Sequence, residues 1–268
     1  MKNGKLKAVV VGLGFGGAFV PIWRDHPDVG EVGVCELDPK LCARVAAEYG
    51  ISLIYPSLDE VLADETVDAV HLVTAIPDHA EQTVRVLDAG KHCACTVPMA
   101  TTMEGIQAIR GAVERSGKKY MMMETTLYTY QYLYVKRLLE SGELGRVQFL
   151  RGSHYQDMEN WPSYWAGLPT PVEIIEDLPN DFSSLPEPLW RYTVGGDYDP
   201  TNPQLSLKKG AGGGHHGSHP HLVHEFVRSI VEDRAPAVDW SLAANITAAG
   251  ILAHQSALLG GGWISLPG

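Results

Sequence analysis

The sequence predicts an α/β fold whose N-terminal part is a doubly wound parallel sheet. Two observations lead to this prediction. Between residues 7 and 124, short and almost continuously apolar segments alternate with helical patterns, which is typical of parallel strands that helices cover on both faces. A glycine-rich turn also follows the first of these segments directly, as in folds that bind nucleotides. The chain of 268 residues is long enough for two ordinary domains, and we place the boundary between residues 1–125 and residues 126–268.

Five strands are predicted in the N-terminal part, and helix-start signals lie between them. The strands are KAVVVG (7–12), EVGVCE (31–36), VDAVHLVT (67–74), KHCACT (91–96) and KYMMME (119–124). The helix starts are Asp38 with Pro39, which combines an N-cap with a first-turn proline, and two capping boxes, Ser57 with Glu60 and Thr101 with Glu104. Local signals and the apolar pattern therefore predict the same order of elements.

The turn after the first strand reads GLGFGG and has the spacing of a dinucleotide-binding turn. In the Gly-x-Gly-x-x-Gly pattern, Gly12 would allow the tight turn, Gly14 the close approach of a pyrophosphate, and Gly17 the packing of the helix on the strand. Such turns also occur without a nucleotide, so the motif alone is weak. We predict that the whole turn contacts the cofactor: Gly12, Leu13, Gly14, Phe15, Gly16 and Gly17.

Glu36 strengthens the nucleotide prediction and indicates which nucleotide. It ends the second strand, where a carboxylate can accept hydrogen bonds from the two hydroxyls of the adenosine ribose. The same carboxylate would repel a 2′-phosphate, and the following Leu37 and Asp38 carry no positive charge. We therefore expect NAD as the cofactor rather than NADP; the alternative is that Glu36 is a solvated surface residue.

The composition of the chain limits the classes of partner that we expect it to bind. The formal net charge of −11 and the isoelectric point near 5.4 argue against sequence-independent binding to nucleic acid or to an anionic membrane, because both require a basic surface. No segment is apolar over the length needed to cross a bilayer. The four cysteines include no CxxC pair, so we expect reduced core residues, a cytoplasmic protein, and no metal site.

Three further segments resemble the Gfo/Idh/MocA oxidoreductase family. They are VHLVTAIPDHAEQTVRVLDAGKHCACTVPMATT (70–102), YMMMETTLYT (120–129) and VKRLLESGELGRVQFLRGSHYQD (135–157). The resemblance covers residues 6 to about 168 and about 205 to 267. It implies an NAD-dependent enzyme that oxidises or reduces a sugar or polyol at a secondary hydroxyl. It also implies cofactor contacts from Thr74, Ala75, Pro77, His79, Thr96, Val97, Pro98 and Glu124.

The sequence departs from the family pattern at two places. The family loop reads Glu-Lys-Pro, and its lysine helps to move the substrate proton; here the loop is Thr96-Val97-Pro98, and valine cannot exchange a proton. A Val-Pro loop is similar to the branch that includes NAD-dependent glycosidases such as the N-acetylgalactosaminidases. After residue 169 the chain passes directly to a segment similar to a much later part of such proteins. The second domain is therefore predicted to be a smaller, truncated α+β unit.

The shortened domain suggests a partner and an alternative function. Strands near 146–157 and 172–177 would expose unpaired edges or an uncovered apolar face, which predicts a homo-oligomer, another partner or poor solubility. The alternative to an enzyme is an NAD-binding pseudoenzyme or structural subunit that lacks the lysine and part of the substrate domain.

Several residues are candidates for the chemistry itself. We predict His154 as the general base, because it ends a strand that the resemblance places over the nicotinamide and because imidazole titrates near neutral pH; a backbone-bonded histidine is the alternative. Tyr128 would contact sugar hydroxyls, unless it only packs on a helix, and His215 and His216 would reach the substrate from a glycine-rich approach. The predicted substrate contacts are Gln156, Asp157, Trp161 and Trp165, although tryptophans near a domain junction are as often simply buried.

Overall fold

The structure, a computed structural model, describes residues 4–148, 181–194, 198–202 and 214–266. Its centre is a parallel sheet of six strands in the order β3-β2-β1-β4-β5-β6. The strands are β1 (Leu6–Val11), β2 (Val29–Cys35), β3 (Leu53–Tyr55), β4 (Ala69–Leu72), β5 (His92–Thr96) and β6 (Tyr120–Met123). The predicted doubly wound parallel sheet is thus confirmed.

The strand order determines where a ligand can bind. The chain starts in the middle of the sheet at β1, builds outward through β2 to β3, and then returns to the other side of β1 with β4. At this reversal the loops after β1 and β4 leave the sheet in opposite directions and open a crevice at the carboxyl edge of the strands. The glycine-rich turn, residues 12–17, follows β1 and so lies at this crevice.

Eight α-helices lie among the described residues. They are α1 (Val20–Asp25), α2 (Pro39–Tyr49), α3 (Leu58–Ala63), α4 (His79–Asp88), α5 (Met103–Ser116), α6 (Tyr130–Glu140), α7 (Gly214–Val231) and α8 (Trp240–Leu258). α1 packs against β2 and α7, α4 packs against α5 and β5, and α8 packs against α5 and β6. Helices from both ends of the chain therefore cover the same sheet.

Two of the three predicted helix starts agree with the observed caps. The Asp38 carboxylate accepts from the Lys40 amide at 2.9 Å, and the Ser57 hydroxyl accepts from the Glu60 amide at 3.3 Å. The third start is one residue later than predicted, because Thr102 and not Thr101 caps α5. Its hydroxyl accepts from the Gly105 amide at 3.0 Å.

α7 returns to the sheet through an apolar stripe and an irregular first turn. Leu222, Val223, Phe226 and Val227 are buried in the same core as the strands. Truncating a buried side chain as large as Phe226 to alanine costs about 3–5 kcal/mol. The backbone is left-handed at His215, His216 and Gly217, with φ of 45°, 56° and 80°, so regular helical geometry begins only after Gly217.

Three features differ from the prediction or fall outside the described residues. The sequence does not predict β3, because its three residues are too short to form a recognisable apolar run. The segment after α8, predicted as a closing strand or arm, has no regular secondary structure over residues 260–266. Most of the predicted strand near 146–157 and all of the strand near 172–177 lie outside the described residues.

Candidate cofactor site

The carboxyl edge of the sheet brings together the predicted cofactor residues that come from five separate loops. The glycine-rich turn follows β1, Glu36 follows β2, residues 74–79 follow β4, residues 97–98 follow β5, and Glu124 follows β6. Because the five strands are parallel, all five loops lie at the same edge. Residues separated by more than a hundred positions in sequence therefore share one end of the molecule.

The first half of the glycine-rich turn is shaped as a cradle. Gly12 has φ of +87°, and a Cβ at this position would collide with the carbonyl oxygen of Val73, so only glycine fits without strain. A Cβ at Gly14, in contrast, would have no atom within 4 Å and would project into open space. An open approach to backbone amides at this point is what a pyrophosphate group requires, so the turn fits the phosphates of NAD.

The second half of the turn packs differently from the prediction. A Cβ at Gly17 would be 3.6 Å from a methyl carbon of Val45, which is an ordinary contact. At Gly16 it would be 3.0 Å from Cβ of Val73 and 3.3 Å from Cγ1 of Val10, both on or beside the sheet. The close approach of the turn to the sheet therefore occurs at Gly16 rather than at Gly17.

The Glu36 carboxylate is held against the glycine-rich turn. Its Oε2 accepts from the amide of Leu13 at 2.7 Å, and its Oε1 accepts from the amide of Asp38 at 3.1 Å. Each carboxylate oxygen can accept more than one hydrogen bond, so both keep capacity for ribose hydroxyls. The carboxylate is fixed beside the turn, where its charge would repel a 2′-phosphate, and the next side chain, Leu37, is 88% exposed and uncharged. This arrangement favours NAD over NADP.

The loops after β4 and β5 are tied to each other. The ring of His79 lies within hydrogen-bonding distance of two main-chain carbonyl oxygens, with Nδ1 at 2.8 Å from that of Pro98 and Nε2 at 3.1 Å from that of Thr74. The Thr74 hydroxyl also donates to Oε1 of Gln82 at 2.6 Å. A short 3-10 turn, Ile76–Asp78, lies between Thr74 and His79. It contains Pro77, and Ala75 directly precedes it.

A cavity lies beside the Val97–Pro98 loop. Its volume is about 430 Å³, and its lining includes Val97, Pro98, Met122, Glu124 and, from α8, Ile246. The Glu124 carboxylate accepts from the amide of Thr126 at 2.9 Å and so begins the 3-10 turn that follows β6. The Thr96 hydroxyl donates to the carbonyl oxygen of Leu72 at 3.4 Å.

The two predicted catalytic histidines of α7 lie in different surroundings. The His215 ring is 5.2 Å from the ring of Phe15, so it lies against the glycine-rich turn. The His216 ring is 5.7 Å from the ring of Tyr130, at the start of α6. Within the described residues, the His215 ring therefore contacts a residue of the predicted cofactor site, whereas the ring contact of His216 does not involve that site.

Tyr128 lies in another cavity, away from the glycine-rich turn. Its ring stacks on His221 with centroids 5.8 Å apart and planes 11° from parallel. Both residues line a cavity of about 540 Å³ whose walls include Arg137 and Asp181. Burial, together with the nearby Glu225, raises the pKa of the Tyr128 phenol above its usual range, so the group is a hydrogen-bond donor and not a base at neutral pH.

Buried histidines beneath the site are neutral. His219 stacks on Phe19 with ring centroids 4.1 Å apart, and its pKa is lowered to about 3, mainly by burial and also by His215. His71 on β4 accepts from the indole N–H of Trp23 at 3.2 Å, and burial lowers its pKa to about 3. The floor of the glycine-rich turn is therefore aromatic and uncharged.

Five predicted site residues lie in the part of the chain that the structure does not describe. His154, Gln156, Asp157, Trp161 and Trp165 fall outside the described residues, so their proposed roles rest on the sequence alone. Within the described ranges, no three histidine, cysteine, aspartate or glutamate residues are grouped closely enough to hold a metal ion. None of the helices in those ranges combines the length and apolarity needed to cross a bilayer.

Sequence reasoning missed some residues that shape this site. Gln82 orients Thr74, and His219 supports Phe15 and Phe19. A polar residue four positions into a helix gives no specific signal for the first. For the second, five histidines between 215 and 224 were a signal, but only the fold shows which of them packs against the turn.

Comparison with known proteins agrees with this geometry. Residues 6–124 match the Gfo/Idh/MocA family model, described as an oxidoreductase family with an NAD-binding Rossmann fold. The chain is 26% identical over 166 residues to glycosyl hydrolase family 109 protein 1 of Phocaeicola vulgatus, covering 58% of this chain and 35% of that protein. It is 27% identical over 183 residues to inositol 2-dehydrogenase of Salmonella paratyphi B, covering 65% of this chain and 51% of that protein.

A solved structure is also similar to this chain. An oxidoreductase from Agrobacterium radiobacter, in complex with NAD+, L-tartaric acid and magnesium, superposes with a TM-score of 0.50 at 25% identity, covering 53% of this chain and 42% of that chain. The chain thus spans about a third to a half of the length of these relatives. Over residues 6–124, this chain is similar to the NAD-binding Rossmann domain of the Gfo/Idh/MocA oxidoreductase family.

Proposed function

We propose that this protein is an NAD-dependent oxidoreductase that acts on a sugar, polyol or glycoside by hydride transfer at a secondary hydroxyl. The observation that carries the proposal is the Glu36 carboxylate, fixed by the Leu13 amide beside an open glycine-rich turn. The names of two relatives, an inositol dehydrogenase and a glycosyl hydrolase, support the substrate class.

The carboxyl edge of the sheet would hold the two halves of NAD at different loops. Amides of the turn from Gly12 to Gly17 would bind the pyrophosphate, and Glu36 would accept from the adenosine ribose. The loops at Thr74–His79 and Thr96–Pro98, with Glu124, would border the nicotinamide half. When bound, NAD would supply a hydride acceptor or donor for the substrate carbon.

The proton that accompanies the hydride needs a group other than residue 97. Val97 has no titratable atom, so we propose His154 as the general base, with Gln156 and Asp157 as substrate contacts and Trp161 and Trp165 as stacking surfaces. His215 lies against Phe15 and could approach the substrate from the α7 side, with His216 beside it. Tyr128 would contribute only if the substrate extends toward its cavity.

The rival proposal is an NAD-binding pseudoenzyme or structural subunit. The observation that favours it is Val97 itself, since the loop that carries a lysine in the resembled family here has an apolar side chain. A third possibility within the enzyme class is a redox-assisted glycosidase, in which transient oxidation of a hydroxyl acidifies a neighbouring C–H bond.

Three further expectations belong to this proposal. Residues 1–125 would form the NAD-binding domain and residues 126–268 a shortened substrate domain. The four buried, unpaired cysteines in the described part of the chain support a cytoplasmic location, because disulfides are rare there. Open strand edges, which the sequence predicts near 146–157 and 172–177, would support a homo-oligomer.

The test combines binding with turnover. NAD binding is measured by titration calorimetry, and a panel of sugars, polyols and glycosides is then screened for NADH absorbance or for release of the aglycone. Binding with turnover that is lost in His154→Ala supports the enzyme. Binding without turnover on any member of the panel supports the pseudoenzyme. Gly14→Val is the control, because its side chain enters open space and should remove NAD binding without unfolding the protein.

A further inference from the structure

His79 is enclosed at the point where two loops of the proposed cofactor site meet. Its side chain has no solvent exposure, and it begins α4 directly after the short turn that follows β4. Because the ring is enclosed by protein, it would not itself contact a bound cofactor. Its effect on the site would have to act through its two partners.

Both partners of the ring are carbonyl oxygens, which only accept hydrogen bonds. Nδ1 faces the Pro98 carbonyl at 2.8 Å, and Nε2 faces the Thr74 carbonyl at 3.1 Å. A neutral imidazole has one N–H and would satisfy one of them, whereas the doubly protonated ring donates to both. The ring therefore bridges the loop after β4 and the loop after β5 through these two carbonyls.

Other contacts leave little freedom for the loop after β4. The Thr74 hydroxyl is held by Gln82, one helical turn further along α4, while its carbonyl is held by His79. On the other side, Pro98 directly follows Val97, whose side chain lines the cavity beside the loop. A change in the Thr74-to-Pro98 spacing would therefore alter the border of that cavity.

We infer that His79 is a positioning residue that fixes the spacing of the Thr74 and Pro98 loops and thereby the place of the nicotinamide half of NAD. This inference rests on the proposed NAD site. The adenosine half would depend on a different part of the sheet, because Glu36 follows β2 and the glycine-rich turn follows β1, and neither Glu36 nor the turn hydrogen-bonds to His79 in the described structure.

The experiment compares two ligands that differ only in the nicotinamide half. The dissociation constants of NAD and of ADP-ribose are measured by titration calorimetry for the wild type, His79→Gln and His79→Leu. Leucine removes the N–H donor of the ring, so NAD affinity should fall roughly tenfold, the equivalent of about one hydrogen bond, while ADP-ribose affinity stays within about twofold. Glutamine can donate to one carbonyl and should give an intermediate ratio.

His92→Gln is the matched control. This histidine is the first residue of β5, at the amino end of the strand and so at the end of the sheet away from the cofactor loops. Its Nδ1 accepts from the amide of Lys119 at 3.0 Å. A general loss of stability would affect both ligands alike, whereas a positioning role changes the ratio of the two affinities. His92→Gln should therefore leave that ratio unchanged, and Gly14→Val should remove binding of both ligands.

The possible results separate the inference from the proposed function. If the wild type binds neither ligand, the proposed NAD site itself is wrong, and the inference with it. If the wild type binds both but the two His79 variants lose both equally, or lose neither, the positioning role is wrong and the NAD site stands. If His79→Leu does not fold, the ratio in His79→Gln decides.

Discussion

Acid should destabilise this protein above the pH at which its carboxylates protonate, and His71 gives the sharpest test. The residue is 1% exposed on β4; its Nδ1 accepts from Trp23, and its Nε2 has no hydrogen-bond partner among the described residues. Burial lowers its pKa from 6.5 to about 3. Between these two values the unfolded chain binds a proton that the folded chain does not, so stability falls as pH falls.

The magnitude follows from the two pKa values. With 6.5 in the unfolded chain and about 3 in the folded one, acidification from pH 7 to pH 5 removes about 2 kcal/mol of the free energy of unfolding. Four other histidines act in the same direction, since their pKa values are lowered to about 3 or 4: His26, His92, His219 and His221. Loss of a few such contributions is large against the total stability of about 5–15 kcal/mol that is usual for a domain.

His71→Asn isolates one of these contributions. The asparagine Oδ1 can take the place of Nδ1 as acceptor for the Trp23 indole, but the amide does not titrate. The smaller side chain lowers stability at every pH, and this cost cancels when pH 7 and pH 5 are compared within one protein. Urea unfolding at the two pH values should show that the variant loses about 2 kcal/mol less than the wild type on acidification. Equal losses in the two proteins would refute the assignment of His71 as a neutral buried residue.

Four other substitutions test three separate features. Glu36→Gln keeps the hydrogen-bond acceptor but removes the charge, so NAD affinity should fall roughly tenfold and discrimination against NADP should weaken. Calorimetry with both nucleotides measures this, and an unchanged preference for NAD would contradict the role of the charge. Gly12→Ala should lower the free energy of unfolding by about 1–3 kcal/mol, because φ is +87° and the methyl group meets the Val73 carbonyl; a wild-type urea midpoint would show that the turn relaxes freely. Thr102→Ala should lower the free energy of unfolding by about 1 kcal/mol, and Thr101→Ala should lower it by less than about 0.5 kcal/mol. A larger loss for Thr101→Ala would show that Thr101 is the N-cap.

Most of the sheet could be predicted from sequence because its strands are buried on both faces. A short apolar run such as residues 8–11 or 120–123, flanked by helical patterns, is typical of a buried parallel strand. β3 could not be predicted, because an edge strand of three residues is too short to show a continuous apolar pattern. Thr101 and Thr102 are adjacent hydroxyl residues, so sequence could locate the start of α5 only to within one position.

The candidate site could be predicted where a motif fixes the backbone and not where side chains meet across loops. The Gly12 conformation and the position of Glu36 follow from the strand-turn-helix pattern. The bond between His79 and Pro98 joins two loops nineteen positions apart, and no periodicity encodes such a contact. The same holds for Phe15 and His215, which are brought together only when α7 returns to the sheet.

The return of α7 has a consequence for how such a protein can change. The chain leaves the sheet after β6 and enters α6, and α7 brings it back: α6 and α7 contact each other, and apolar residues of α7 join the core of the sheet. The segment between α6 and α7 is thus anchored at both ends on one rigid support. Doubling the length of a segment held in this way costs only about 0.6 kcal/mol in closure entropy. Insertions and deletions there can change that segment while leaving the sheet and the glycine-rich turn in place, so the two parts of the chain are free to evolve at different rates.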